Sequence, residues 1–222
     1  MNWILTAEEK KSRYERQHGD LDERSLIRKG NTAYAAGLAL LMAGDRESSD
    51  WLRRAAARWR ESWGAGESVQ ADSAEPKWGR PIGALKASLL AHDDAAVDEL
   101  AHWALELGSA TADSPIGRYA AALALLALER WPEARHVIET LRERDDFPAD
   151  VADALASVAA HDVVGYADAV ESVVASFESR SEHLEDVAVA DTALVLQELA
   201  RRRGIDYELS PSAVLPSPSR PS

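Results

Sequence analysis

The chain of 222 residues carries 38 Asp and Glu against 25 Lys and Arg, a formal charge of −13, and has no cysteine. Its 46% hydrophobic and 28% charged content is that of a globular chain, not a disordered one. These values exclude a disulfide framework, a thiolate nucleophile and a cysteine zinc site, and they disfavour binding to a polyanion.

The opening Met1-Asn2-Trp3-Ile4-Leu5 runs directly into Glu8-Glu9-Lys10-Lys11. It reads as neither a signal peptide nor a membrane span, so a cytoplasmic protein is expected. Thr6-x-x-Glu9 has the form of a capping box, predicting a helix to about His18 and a second from Asp20 to Arg28. Asn31 to Met42, a turn at Gly44-Asp45, and Asp50 to Trp63 make the first clear helical hairpin. Trp51, Ala55, Trp59 and Trp63 repeat at i+4 and form a heavy face, read chiefly as core. Gly64 to Arg80 is rich in Gly, Ser and Pro and is expected to be a long loop.

A repeat begins after that loop. Pro-Ile-Gly occurs at Pro81-Ile82-Gly83 and at Pro115-Ile116-Gly117, and Ala-His-Asp at Ala91-His92-Asp93 and Ala160-His161-Asp162. These offsets, one and two periods of about 34 residues, match tetratricopeptide-like helix pairs. Each proline opens a small-residue helix (Ala84 to Ala91, Tyr119 to Leu128), and an amphipathic helix follows each. Val97, Leu100, Ala101, Ala104 and Leu105 form one such face; Ala134, Val137, Ile138 and Leu141 form the other. Phe147-Pro148 opens a third pair, whose second helix carries a stripe from Val163 and Val164 through Val170 and Val173 to Phe177. Leu184 to Arg203 reads as a last helix ended by Gly204, and Ser210 to Ser222 as a Pro/Ser-rich tail with an ordered strap at Leu215-Pro216. The fold class is all-α: stacked antiparallel helix pairs over residues 1–209 in one domain, with no sheet, and a tail over 210–222.

The polar marks suit scaffolding better than chemistry. Asp93 and Asp162 stand where an N-cap is needed, and His92 and His161 at the negative end of the preceding helix. Glu99-x-x-His102 puts two ligand types on one helical face, but a di-metal bundle needs further such motifs. Arg201-Arg202-Arg203 before Gly204 is ordinary helix-end chemistry. No phosphate loop, zinc-protease helix or nucleophile elbow occurs. No catalytic residue, metal or cofactor is therefore expected. The contact residues expected are Trp78 and Arg80 in the long loop, with Glu99 and His102 on the groove side.

Phe177-Glu178-Ser179-Arg180-Ser181-Glu182, Asp186-Val187-Ala188, Leu199 to Ile205, Ser212 and Leu215-Pro216 resemble the C-terminal pattern of an all-α immunity-protein family of bacterial polymorphic toxin systems, the forty-ninth in the usual numbering. Trp78-Gly79-Arg80 and Leu89-Leu90-Ala91-His92-Asp93 are similar to its mid-region, so the likeness covers residues 75–216. The resemblance implies a protein that binds and neutralises a cognate toxin without chemistry of its own, and supplies no catalytic residues. A basic toxin would be steered by the negative charge, although salt adaptation of the host would produce the same acidity. Two other readings are a general helical-repeat adaptor and a metal-dependent helical enzyme built on Glu99, His102 and the acids from Asp93 to Asp98.

Overall fold

The computed structural model describes residues 2–17, 22–66 and 77–217, and these are all-helical, with ten α-helices, two short 3-10 turns and no strand. The helices are α1 (Trp3–Arg16), α2 (Glu23–Met42), α3 (Ser48–Gly66), α4 (Gly79–Leu90), α5 (Asp94–Glu106), α6 (Pro115–Ala127), α7 (Trp131–Arg142), α8 (Ala149–Ala160), α9 (Val163–Glu178) and α10 (Asp191–Arg202). Each of the first nine packs on its successor, and α4, α6 and α8 also pack on one another in turn. The result is an inner layer of α2, α4, α6 and α8 and an outer layer of α3, α5, α7 and α9. The composition of the helices explains this sorting. In α6 every residue from Tyr119 to Ala127 is buried, whereas in α7 only Ala134, Val137, Ile138 and Leu141 are. Small residues all round permit close approach on several sides, and a single stripe permits one.

Four hairpin turns share one geometry. Gly44, His92, Glu129 and His161 each adopt a left-handed φ, from 53° to 68°, just past the end of an inner helix. The next residue's N–H bonds back to the helix in every case: Asp45 to Leu40 O (2.9 Å), Asp93 to Ser88 O (3.1 Å), Arg130 to Leu125 O (2.8 Å) and Asp162 to Ser157 O (2.9 Å). This is the Schellman closure, which satisfies carbonyls the helix end leaves open. Asp93 and Asp162 then cap α5 and α9 by accepting from Ala96 N and Gly165 N. The repeated Ala-His-Asp is thus a turn, with the histidine at its left-handed position.

Pro-Ile-Gly has an equally specific cause. A Cβ at Gly83 would lie 2.9 Å from the Trp59 indole, and one at Gly117 would lie 2.8 Å from that of Trp78. Each glycine seats a tryptophan from an earlier element, and any larger residue would displace it. The Trp51, Trp59 and Trp63 stripe is buried, as its spacing indicates.

Several sequence expectations are corrected. The segments 20–28 and 31–42 belong to one continuous α2 that begins at Glu23, capped by the Asp22 side chain; Asp20 and His18 lie outside the described residues. The first helix is capped by Asn2, whose side chain accepts from Leu5 N, while Thr6 donates to the Asn2 carbonyl, so Thr6-x-x-Glu9 is not a capping box. The loop expected over Gly64 to Arg80 is shortened at both ends, since Gly64 to Gly66 remain helical and α4 begins at Gly79; residues 67–76 lie outside the described residues. Val163 and Val164 are 44% and 74% exposed, and the buried stripe of α9 starts at Tyr166. The last helix starts at Asp191 and not at Leu184, because Glu185 and Asp186 take left-handed φ of 53° and 60° and the chain then extends to Ala190. There Ala190 N donates to Val214 O (2.9 Å), and Val214 and Leu215 are buried, so the strap is ordered. Residues 218–222 lie outside the described residues.

The largest correction concerns the concave side. α10 packs on α4, α6, α8 and α9. Along α4, α6 and α8, the inner surface of the stack is therefore occupied by the chain's own last helix.

Candidate functional site

With α10 lying along α4, α6 and α8, the long uncovered surface left to a protein partner is the outer one. Its two halves differ. Between α3 and α5, Trp63 meets Trp103 edge-on with ring centroids 5.6 Å apart, and the Arg60 guanidinium lies over Trp103 at 4.5 Å. These side chains close the space between the outer helices. Between α7 and α9 the floor is built from small residues of α8 (Ala156, Ser157, Ala160), with Gly165, Ala169 and Ser172 on the α9 wall. An open groove of about 850 Å³ results.

Five carboxylates (Glu139, Asp150, Asp153, Asp162, Asp168) and two guanidinia (Arg135, Arg142) face this groove. Both arginines are engaged. Arg142 pairs with Asp153 at 2.9 Å, and its own charge is further secured by that bond, while Arg135 donates to the Ala159 carbonyl at 3.1 Å. Asp150 and Asp162 sit at helix starts, Asp150 accepting from Val151 N. Its five carboxylates against two guanidinia make the groove negative, and its walls are helices. A cleft of one sign focuses field lines toward a mobile opposite charge.

A second polar cluster is buried under the start of α10. Lys86 of α4 pairs with Asp191 at 2.6 Å and donates to Thr192 Oγ1 at 3.1 Å, and Tyr34 of α2 donates to Asp191 Oδ2 at 2.8 Å. Burial works to lower the Lys86 pKa, but the charge and hydrogen bond of Asp191, together with Tyr119, make the net direction upward. Burial, reinforced by Asp191, holds the Tyr34 phenol well above its ordinary range. The pairing with Asp191 therefore favours the charged form of Lys86.

At the other end of α10, Glu198 is 5% exposed and accepts from Arg201 (2.8 Å) and Arg202 (2.9 Å), with His92 at 3.4 Å. Burial alone would raise its pKa; the bonds from His92 and the arginines dominate and bring it down to about 2. Arg202 also reaches Asp94, and Arg203 lies over Trp131 at 4.4 Å. The triple-arginine run braces α10 against both halves.

The residues expected from sequence to touch a partner are placed as follows. Trp78 is 5% exposed, packed against Gly117, and Arg80 is 3% exposed. Arg80 donates to the Ser62 carbonyl (3.0 Å), pairs with Glu23 (3.1 Å) and lies over Trp63 at 4.7 Å. Both belong to the core that seats α4, which corrects their reading as loop-borne contacts. Glu99 and His102 are exposed on α5, where His102 turns back to Asp98. α5 is an outer helix, so these two face solvent and not an inner groove. Among the described residues no three His, Asp or Glu converge as a metal site would require, and no helix is long and apolar enough to cross a membrane.

Sequence reasoning missed the α7–α9 groove and the Lys86–Asp191 pair. The available signal was a lone lysine in the small, largely apolar run from Ala84 to Leu90, a position where a charge demands a partner. No family model, curated protein or solved structure matches the chain.

Proposed function

We propose that the protein is a stoichiometric binding inhibitor: an immunity protein that holds a cognate basic toxin in the cytoplasm through the acidic groove between α7 and α9. The groove carries the reading. It is an open cleft with three more negative than positive side chains, on the face that α10 leaves free. Its charge would speed association with a basic protein and select against acidic ones. The resemblance of residues 75–216 to immunity proteins of polymorphic toxin systems supports the same assignment. A general helical-repeat adaptor is less well supported, because adaptors of this class grip extended partners on the inner surface, here filled by α10.

Co-expression with the product of the adjacent gene tests the assignment. A complex of one partner, with affinity falling steeply as salt is added, is the expected result. A neighbour that is not toxic, or a toxin that is not sequestered, overturns it. Capture of several unrelated partners would favour the adaptor instead. Stability that rises with salt while affinity stays flat would assign the acidity to the host's ionic conditions.

A further inference from the structure

Two open clefts flank Leu184, of about 370 Å³ and about 430 Å³, and both are walled by Tyr34, Lys86, Leu184 and Asp191. Together they reach the size of an ordinary small-molecule site. The first is polar and includes Arg180, whose guanidinium lies 3.7 Å over the Phe177 ring and makes one long bond, 3.5 Å, to Ser176 Oγ. The second has a mainly apolar and aromatic surface, with Ile27, Trp59, Trp78 and Ile82 in its walls beside the charged Lys77 and Arg80.

The donors here are not used up. An ammonium has three N–H groups, and Asp191 and Thr192 take two of those on Lys86. A guanidinium has five, and Arg180 commits one weakly. Asp191 is paired with Lys86 and accepts from Tyr34, which leaves Arg180, among the described residues, as the cation without a carboxylate partner in the cleft, and Glu182 stands exposed at the rim. A buried ion pair is also an uneconomical way to stabilise a helix junction, since an apolar pair of like volume does as well or better. The covering turn is strained. Leu184 is 48% exposed, and the two residues after it, Glu185 and Asp186, are both left-handed without being glycine. Such strain concentrates at ligand clamps. Arg13 of α1 holds this turn through Glu185 at 2.7 Å.

We propose that the two clefts meeting at Leu184 form one binding site for a small aryl anion, a carboxylate or phosphate monoester, with its head between Lys86 and Arg180 and its ring in the mainly apolar cleft. This site is on the inner side of the stack and is independent of any partner in the α7–α9 groove.

Calorimetric titration of the full chain with benzoate, phenyl phosphate, inorganic phosphate and benzyl alcohol tests it. At least one of the two aryl anions should bind saturably, and the better of them identifies the head group; inorganic phosphate and benzyl alcohol should each bind about tenfold more weakly or not at all. Arg180→Gln should weaken binding about tenfold, and Leu184→Trp, which fills the junction, should abolish it. Both positions are exposed, so unchanged melting curves will show that the variants fold. The proposal is overturned if neither aryl anion binds at millimolar concentration, if benzyl alcohol binds as well as they do, or if both variants bind like the parent.

Discussion

The two halves of the outer layer are made of the same unit and end differently. Between α3 and α5, aromatic and arginine side chains fill the gap: Trp63 on Trp103, Arg60 over Trp103, Arg80 over Trp63. Trp59 passes between α2 and α4, with Gly30 and Gly83 both cut away to receive it. Between α7 and α9 the corresponding side chains are Ala, Ser and Gly, and the gap stays open with carboxylates around it. Identical backbone logic thus yields a welded half and a receptive half, and the choice lies in side-chain volume at a few outer positions. Large flat side chains stabilise by burial and stacking; small ones leave surface for something else.

Trp59→Ala is the sharpest way to break the welded half. It should cost about 3–5 kcal/mol in urea unfolding, because the indole touches two inner helices and its Nε1 donates to Asn31 at 3.1 Å. The pair that fastens α10 to that half comes next. Lys86→Met alone should cost about 3 kcal/mol by stranding Asp191, and adding Asp191→Leu should recover much of the loss.

Glu198 adds a pH dependence. Its pKa of about 2 lies below its ordinary 4.5, so its contribution is fully present above pH 4.5 and is lost as pH falls toward 2. That contribution is at most about 3 kcal/mol. Unfolding of the parent and of Glu198→Gln across pH 2–6 should show a gap that closes in acid, and a gap of constant size would refute the sign. His161→Gly, at φ 60° in the turn that leads into the open half, should stabilise by about 1 kcal/mol in the same assay. The smallest effect on stability is expected in the groove itself. Glu139→Lys with Asp168→Lys should change the unfolding free energy by no more than about 0.5 kcal/mol per site. The same pair should lower partner affinity at low salt, and no other substitution named here should do so without loss of stability.

Much of the architecture was legible along the chain. The i+4 tryptophans, the prolines that open helices and the Asp caps are local signals, set by the helical period and by backbone groups within a few residues. Glycine in Pro-Ile-Gly was legible as a mark but not as the seat of an indole, because Trp59 and Trp78 come from other elements. Gly30 resembles a helix break and is a cut-out inside one. Trp78 and Arg80 looked loop-borne for a related reason. Their neighbours in sequence are loop-like, and what buries them, Gly117 and Trp63, is remote. Glu99 and His102 were correctly set on one helical face, but the direction of that face depended on which helices α5 packs against.

Periodicity and capping by themselves determined that this chain is a run of antiparallel helical pairs, since hydrogen bonds and apolar spacing within each segment admit no competing strand. Tertiary structure alone decided which surface is free. Where α10 comes to rest, which gaps its neighbours fill, and which charges meet beneath it are contacts between residues far apart in the chain, and no local pattern encodes them.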